Sequence, residues 1–171
     1  MTTPRPEASS PDVRTRMQAV RRRDTAAELA IRRLLHGRGL RYRVDQPVLS
    51  QRRLRADLIF RAARIAVFVD GCFWHCCPQH ATQPRVNQSW WASKLSDNWR
   101  RDRQTDQDLA AAGWHVIRVW EHERPTTAAS RIARTVRMRL ASGGRISAKP
   151  RTRRPVRRQL GVDPGANRSP V

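Results

Sequence analysis

The stretch Ala66-Val67-Phe68-Val69-Asp70-Gly71-Cys72-Phe73-Trp74-His75-Cys76-Cys77-Pro78-Gln79-His80 organises the rest of the chain. Its four opening apolar residues read as a strand buried on both faces. That strand runs into an acid, a glycine, two aromatics and a group of metal-ligand side chains. All three cysteines of the chain, Cys72, Cys76 and Cys77, fall within it. Cys72, Cys77 and His80 are spaced C-x4-C-x2-H, and His122, just past a later strand, is the best fourth ligand. Four N/S ligands make a closed structural zinc site. Such a site would tie the loop after this strand to the end of the later one. Buried free cysteines beside surface histidines are the alternative. His75 is either a further ligand or a general acid or base turned toward nearby acids. The second role is favoured, because the other four residues already complete a tetrahedron.

Working outward, Asp24 reads as an N-cap for a helix over Thr25 to His36 that Gly37 and Gly39 end. Leu40 to Val44 alternates and reads as a strand, as do Arg55 to Phe60 and Arg64 to Val69. A polar helical region runs from Asn87 to about Ala112 and stops at Gly113. Trp114 to Trp120 is a fourth, strongly alternating strand. Thr126 or Thr127 would cap a last helix to about Leu140. Three strands in a meander, then a helical crossover to a fourth, predict a mixed central sheet flanked by helices. Trp90, Trp91, Trp99, Trp114 and Trp120 read as core or helix-packing residues. Residues 1–12 read as a disordered lead, 13–140 as the folded domain and 141–171 as a basic disordered tail with eight Lys+Arg.

The 171 residues carry 35 Lys+Arg against 14 Asp+Glu, a net charge of +21. Nearly all of the positive charge is arginine, whose planar donors suit phosphates and guanine edges. A GC-rich genome would favour arginine over lysine but would not remove the acids, so a nucleic-acid partner is expected. No stretch approaches the roughly 20 apolar residues of a membrane span. No signal peptide is visible, so a cytoplasmic protein that uses its cysteines for metal is expected.

Asp57 lies inside an otherwise apolar strand, Asp70 ends the next one, and Glu28 sits on the first helix. Carboxylates at neighbouring strand ends are how Mg²⁺ sites are made, because this hard cation takes oxygen ligands. The alternative for Asp57 is a surface acid paired with Arg55. Phe73 and Trp74 follow a glycine in a loop and can stack on bases or wedge between them, unless both are core.

Together these residues resemble the very short patch repair endonucleases, the Vsr family of T:G mismatch nickases. The resemblance spans about residues 12 to 125. It is carried by Arg14-Thr15-Arg16-Met17, Arg23-Asp24-Thr25 with Glu28, Arg55-Ala56-Asp57-Leu58, the run through Trp74-His75, Asn98 with Arg101-Asp102-Arg103, and Gly113-Trp114 through Val119-Trp120-Glu121. It implies a restriction-endonuclease-like, PD-(D/E)XK-type α/β core. It implies Asp57 as the principal Mg²⁺ ligand, Glu28 and His75 assisting a water, and Asp102 as a further acid near the site. It implies that Met17, Phe73 and Trp74 enter the duplex beside the mismatch, with Arg14 and Arg16 in the same DNA-contacting segment. Cys72, Cys77, His80 and His122 match structural zinc ligands.

Three positions depart from the family pattern. Ala56 stands where proline often precedes the catalytic acid, Asp70 where some members carry histidine, and Cys76 where a small glycine is common. The activity implied is a nick 5′ of the mismatched thymine in double-stranded DNA. It would come from a monomer at the nucleoid, with repair proteins as candidate partners. A Vsr-like nuclease of relaxed specificity and a non-cleaving zinc-stabilised DNA-binding module are the competing readings.

Overall fold

The computed structural model describes residues 6–7, 10–12, 14–15, 23–49 and 54–142. Met17, Arg16 and the basic segment 143–171 lie outside the described residues. The elements follow the order α1 (Ala26–Gly37), β1 (Arg43–Pro47), β2 (Arg55–Phe60), β3 (Ile65–Asp70), α2 (Gln88–Ala111), β4 (His115–Trp120) and α3 (Pro125–Ser142). The four strands form one sheet in the order β1-β2-β3-β4. β1 and β2, and β2 and β3, pair antiparallel. β3 and β4 pair parallel, with Asp70 opposite Trp120. The fold is therefore mixed α/β, and α2 is the crossover that a parallel pair requires.

Helices cover both faces. Ile31 and Leu35 of α1 and Ala128, Ala129, Ile132, Ala133 and Val136 of α3 pack against Leu58, Ile65, Val67, Ile117 and Val119. Leu109 of α2 closes the other face over Ile59, Ala66 and Phe68. β3 is covered on both sides, which explains its unbroken apolar run. Each of its fully buried Ile65 and Val67 side chains contributes roughly 1.5–3 kcal/mol through removal from water.

Several local expectations are corrected. Thr25, and not Asp24, is the N-cap of α1, because its hydroxyl accepts the Glu28 N–H. Glu28 reaches back past the cap to accept the N–H of Asp24, a reciprocal arrangement close to a capping box. Leu40 to Tyr42 precede the first strand, which starts at Arg43. Gly39, at φ +76°, takes the left-handed turn that closes α1, and Gly113, at φ +77°, does the same for α2. α3 begins at Pro125, ahead of both candidate threonine caps, and runs to Ser142. Proline suits that first position because its missing N–H has no helical partner there. Trp99 of α2 is not core: it is 47% exposed. Its ring is covered by the Arg103 guanidinium, 4.6 Å from the centroid.

Candidate functional site

The parallel pairing of β3 and β4 sets the site. Two neighbouring strands end together, so the loops that follow them meet. The Glu121 N–H donates to Asp70 O at 2.9 Å, and the Glu121 carboxylate accepts the Cys72 N–H at 2.6 Å. This brings Cys72, Cys77, His80 and His122 together, with all four ligand atoms within 4.8 Å of one another. Cys72 Sγ lies 3.1 Å from His122 Nδ1, and Cys77 Sγ lies 3.8 Å from His80 Nδ1. The two cysteines are buried and the two histidines are exposed. Two sulfurs and two imidazole nitrogens at this separation could hold a metal ion, and the donor set is the one zinc takes. Cys76 is the cysteine outside the group. Its backbone is left-handed, at φ +56°, a conformation that favours glycine.

Asp57, on β2, is half-buried, and its Oδ2 accepts the Val69 N–H at 2.7 Å. It does not pair with Arg55, which binds Asp45 at 2.6 Å. Burial, together with the charges of Glu28 and Asp70, pushes the Asp57 carboxyl up to about 6 against the pull of the Val69 N–H. A half-buried carboxylate among like charges is a ready oxygen ligand for a divalent cation. Glu28, only 4% exposed, is engaged with Thr25 Oγ1 at 3.0 Å and Arg32 at 2.9 Å.

His75 donates from Nδ1 to Asp102 Oδ2 at 2.6 Å, and Asp70 Oδ1 lies 3.7 Å from the same nitrogen. Burial alone would depress the imidazole. The Asp102 hydrogen bond and the charges of Asp70 and Asp102 outweigh it and hold the pKa above its ordinary value. A carboxylate on Nδ1 fixes the ring and leaves Nε2 for a substrate. His75, Asp70 and Asp102 line a cleft of about 400 Å³ with Trp99, Arg103 and Trp120.

For Asp70 the sequence leaves open a metal contact or a part in proton transfer; in the fold both of its oxygens accept from Arg118 Nη1, at 3.0 and 2.9 Å. Sequence reasoning missed Arg118. In an alternating strand it reads as an outward arginine, and only the packing of α2 over that face turns it inward.

Phe73 and Trp74 are half-buried rather than free. Their rings meet edge to face at 5.1 Å, and each packs on Trp91 of α2, at 5.2 and 5.9 Å. Asn98 of α2 donates to the Trp74 carbonyl at 3.0 Å. Arg14 is exposed.

The family model described as DNA mismatch endonuclease Vsr matches residues 9–80. A type II nicking enzyme, V.NaeI of Lentzea aerocolonigenes, is 44% identical over 122 residues, covering 70% of this chain and 74% of that protein. V.XorIIP of Xanthomonas oryzae, also named a type II nicking enzyme, is 38% identical over 63% of this chain and 77% of its own length. The DNA mismatch endonuclease Vsr of Escherichia coli K12 is 36% identical over 61% of this chain and 66% of its own length.

Proposed function

This chain belongs to the Vsr family of DNA mismatch endonucleases, and from that premise we propose that it nicks duplex DNA 5′ of the thymine in a T:G mismatch in a magnesium-dependent reaction. The observation that carries the reading is the His75–Asp102 pair: His75 sits on the loop that also bears the aromatics, 3.7 Å from Asp70, whose charge in turn acts on the Asp57 carboxyl. Asp57 would hold the catalytic magnesium. When bound, that ion supplies charge for the scissile phosphate and acidity for the attacking water.

The chain's own residues do the rest. Asp102 holds the His75 ring so that Nε2 can exchange a proton with the water or the leaving oxygen. Glu28 adds negative charge near Asp57 and favours a cation there. Phe73 and Trp74, stiffened by Trp91, present an aromatic edge to the base stack. A T:G wobble pair stacks poorly, so opening it costs less than opening a matched pair. Rigid rings would use that difference to choose the site. Met17, Arg14 and Arg16 would act on the same duplex from the N-terminal side. Zinc on Cys72, Cys77, His80 and His122 would hold the loop in register. The layered sheet supports a restriction-endonuclease-like core in a monomer. The net charge of +21 supports duplex DNA as its partner at the nucleoid of the cytoplasm.

The test uses matched duplexes carrying T:G, other single mismatches or perfect pairs, with magnesium present or omitted. The expected result is one nick in the thymine strand of the T:G duplex, leaving a 5′-phosphate, only with magnesium. Equal cutting of perfect pairs would point to relaxed specificity. Binding without cutting under every condition would point to a non-cleaving DNA module.

A further inference from the structure

Arg118 stands among three aspartates from two other elements. Its Nη1 binds both oxygens of Asp70, at the end of β3. Its Nε and Nη2 bind Asp106 of α2 at 3.0–3.1 Å. Its Nη2 also reaches the main-chain oxygen of Asp102 at 3.3 Å and the Asp102 Oδ1 at 3.4 Å. The guanidinium carbon lies 5.1 Å from the Phe68 ring centroid, so the group is held by an aromatic as well as by acids. Its side chain is 23% exposed.

The two carboxylates that flank His75 Nδ1 are both gripped by this one guanidinium. Asp102 turns Oδ2 to His75 and Oδ1 to Arg118, and Asp70 lies against both. Arginine's planar fork suits such a double grip, and lysine's point charge does not. We propose that Arg118 is a positioning residue for strand cleavage, clamping Asp70 and Asp102 so that His75 is held as an Nδ1 donor with Nε2 turned to the substrate. On this assignment Asp70 works through Arg118 and is not a ligand of the catalytic metal. The proposal rests on the reading of His75 as the proton-transfer group.

The test is a double-mutant cycle in the zinc-loaded full chain, with single-turnover nicking and duplex affinity measured separately on the T:G substrate. Arg118→Ala is expected to slow nicking by about 100-fold, the scale of a lost acid–base group, while duplex affinity changes by less than about threefold. In a His75→Ala background the same change is expected to cost less than about threefold further. Added guanidinium is expected to restore part of the rate to Arg118→Ala but none to the double variant.

If Arg118→Ala slows the His75→Ala protein as much as the parent, or leaves the parent's rate unchanged, the proposal is overturned. Full activity in His75→Ala alone would instead overturn the reading of His75. Should Arg118→Ala lose its zinc or its fold, the pair Asp70→Asn with Arg118→Gln removes both buried charges together and enters the same cycle under the same criteria.

Discussion

Replacing Asp57 with asparagine should make the protein more stable while removing its activity. The magnitude follows from the site. Burial and the Glu28 and Asp70 charges raise the Asp57 carboxyl from 3.8 to about 6. The fold therefore favours the neutral acid. The penalty for ionising it is absent below the unfolded value, grows between 3.8 and about 6, and is fully present above that. A shift of about two units corresponds to about 3 kcal/mol at pH 8 and about half of that near pH 5. Asparagine carries no charge at either pH and can still accept the Val69 N–H. Urea unfolding of zinc-loaded, magnesium-free protein should thus show Asp57→Asn ahead by about 3 kcal/mol at pH 8, with the gap narrowing near pH 5. Added magnesium should raise the parent's stability and not the variant's. A variant equal to or less stable than the parent at pH 8, or a gain that ignores pH, would refute the reasoning.

Three further outcomes are expected. Metal analysis should find about one zinc per chain, and Cys77→Ser should lose it and unfold at lower temperature; a zinc-free protein with the same melting point would remove the ligand assignment. Cys76→Gly should stabilise the fold by up to about 1 kcal/mol, because the left-handed backbone there suits glycine; a loss of stability would show that the thiol packs usefully against the cleft. Removing residues 143–171 should weaken duplex binding and flatten its dependence on salt without altering the choice of mismatch, measured by titration over a range of ionic strength.

The sequence was most legible where a pattern is local. The unbroken apolar run of β3, the alternation of β4 and the cysteine–histidine spacing led to the observed sheet and to the four side chains that the fold gathers within 4.8 Å of one another. The T-x-x-E signal of Thr25 and Glu28 was equally local and was overlooked in favour of Asp24. Arg118 was not legible at all. Its partners lie 48, 16 and 12 residues away on two other elements. Nothing in its own neighbourhood distinguishes it from the many surface arginines of a basic chain. Trp99 misled for the converse reason: a tryptophan is presumed buried, but the buried side chains of α2 are Trp91 and Leu109, and Trp99 borders the open cleft instead.

One face of α2 handles three adjacent residues of the loop opposite it. Trp91 packs on Phe73 and Trp74, Asn98 holds the Trp74 carbonyl, and Asp102 holds His75. These grips are seven and four residues apart, the spacing of a single helical stripe. The helix thus works as a jig, and under the proposed function the distance between the rings that would test a base pair and the histidine that would serve strand cleavage becomes a constant of manufacture. One residue inserted between Trp91 and Asp102 would turn the second grip by about 100° against the first. Sensing could survive that change and so could a competent histidine, yet they would no longer address the same stretch of DNA.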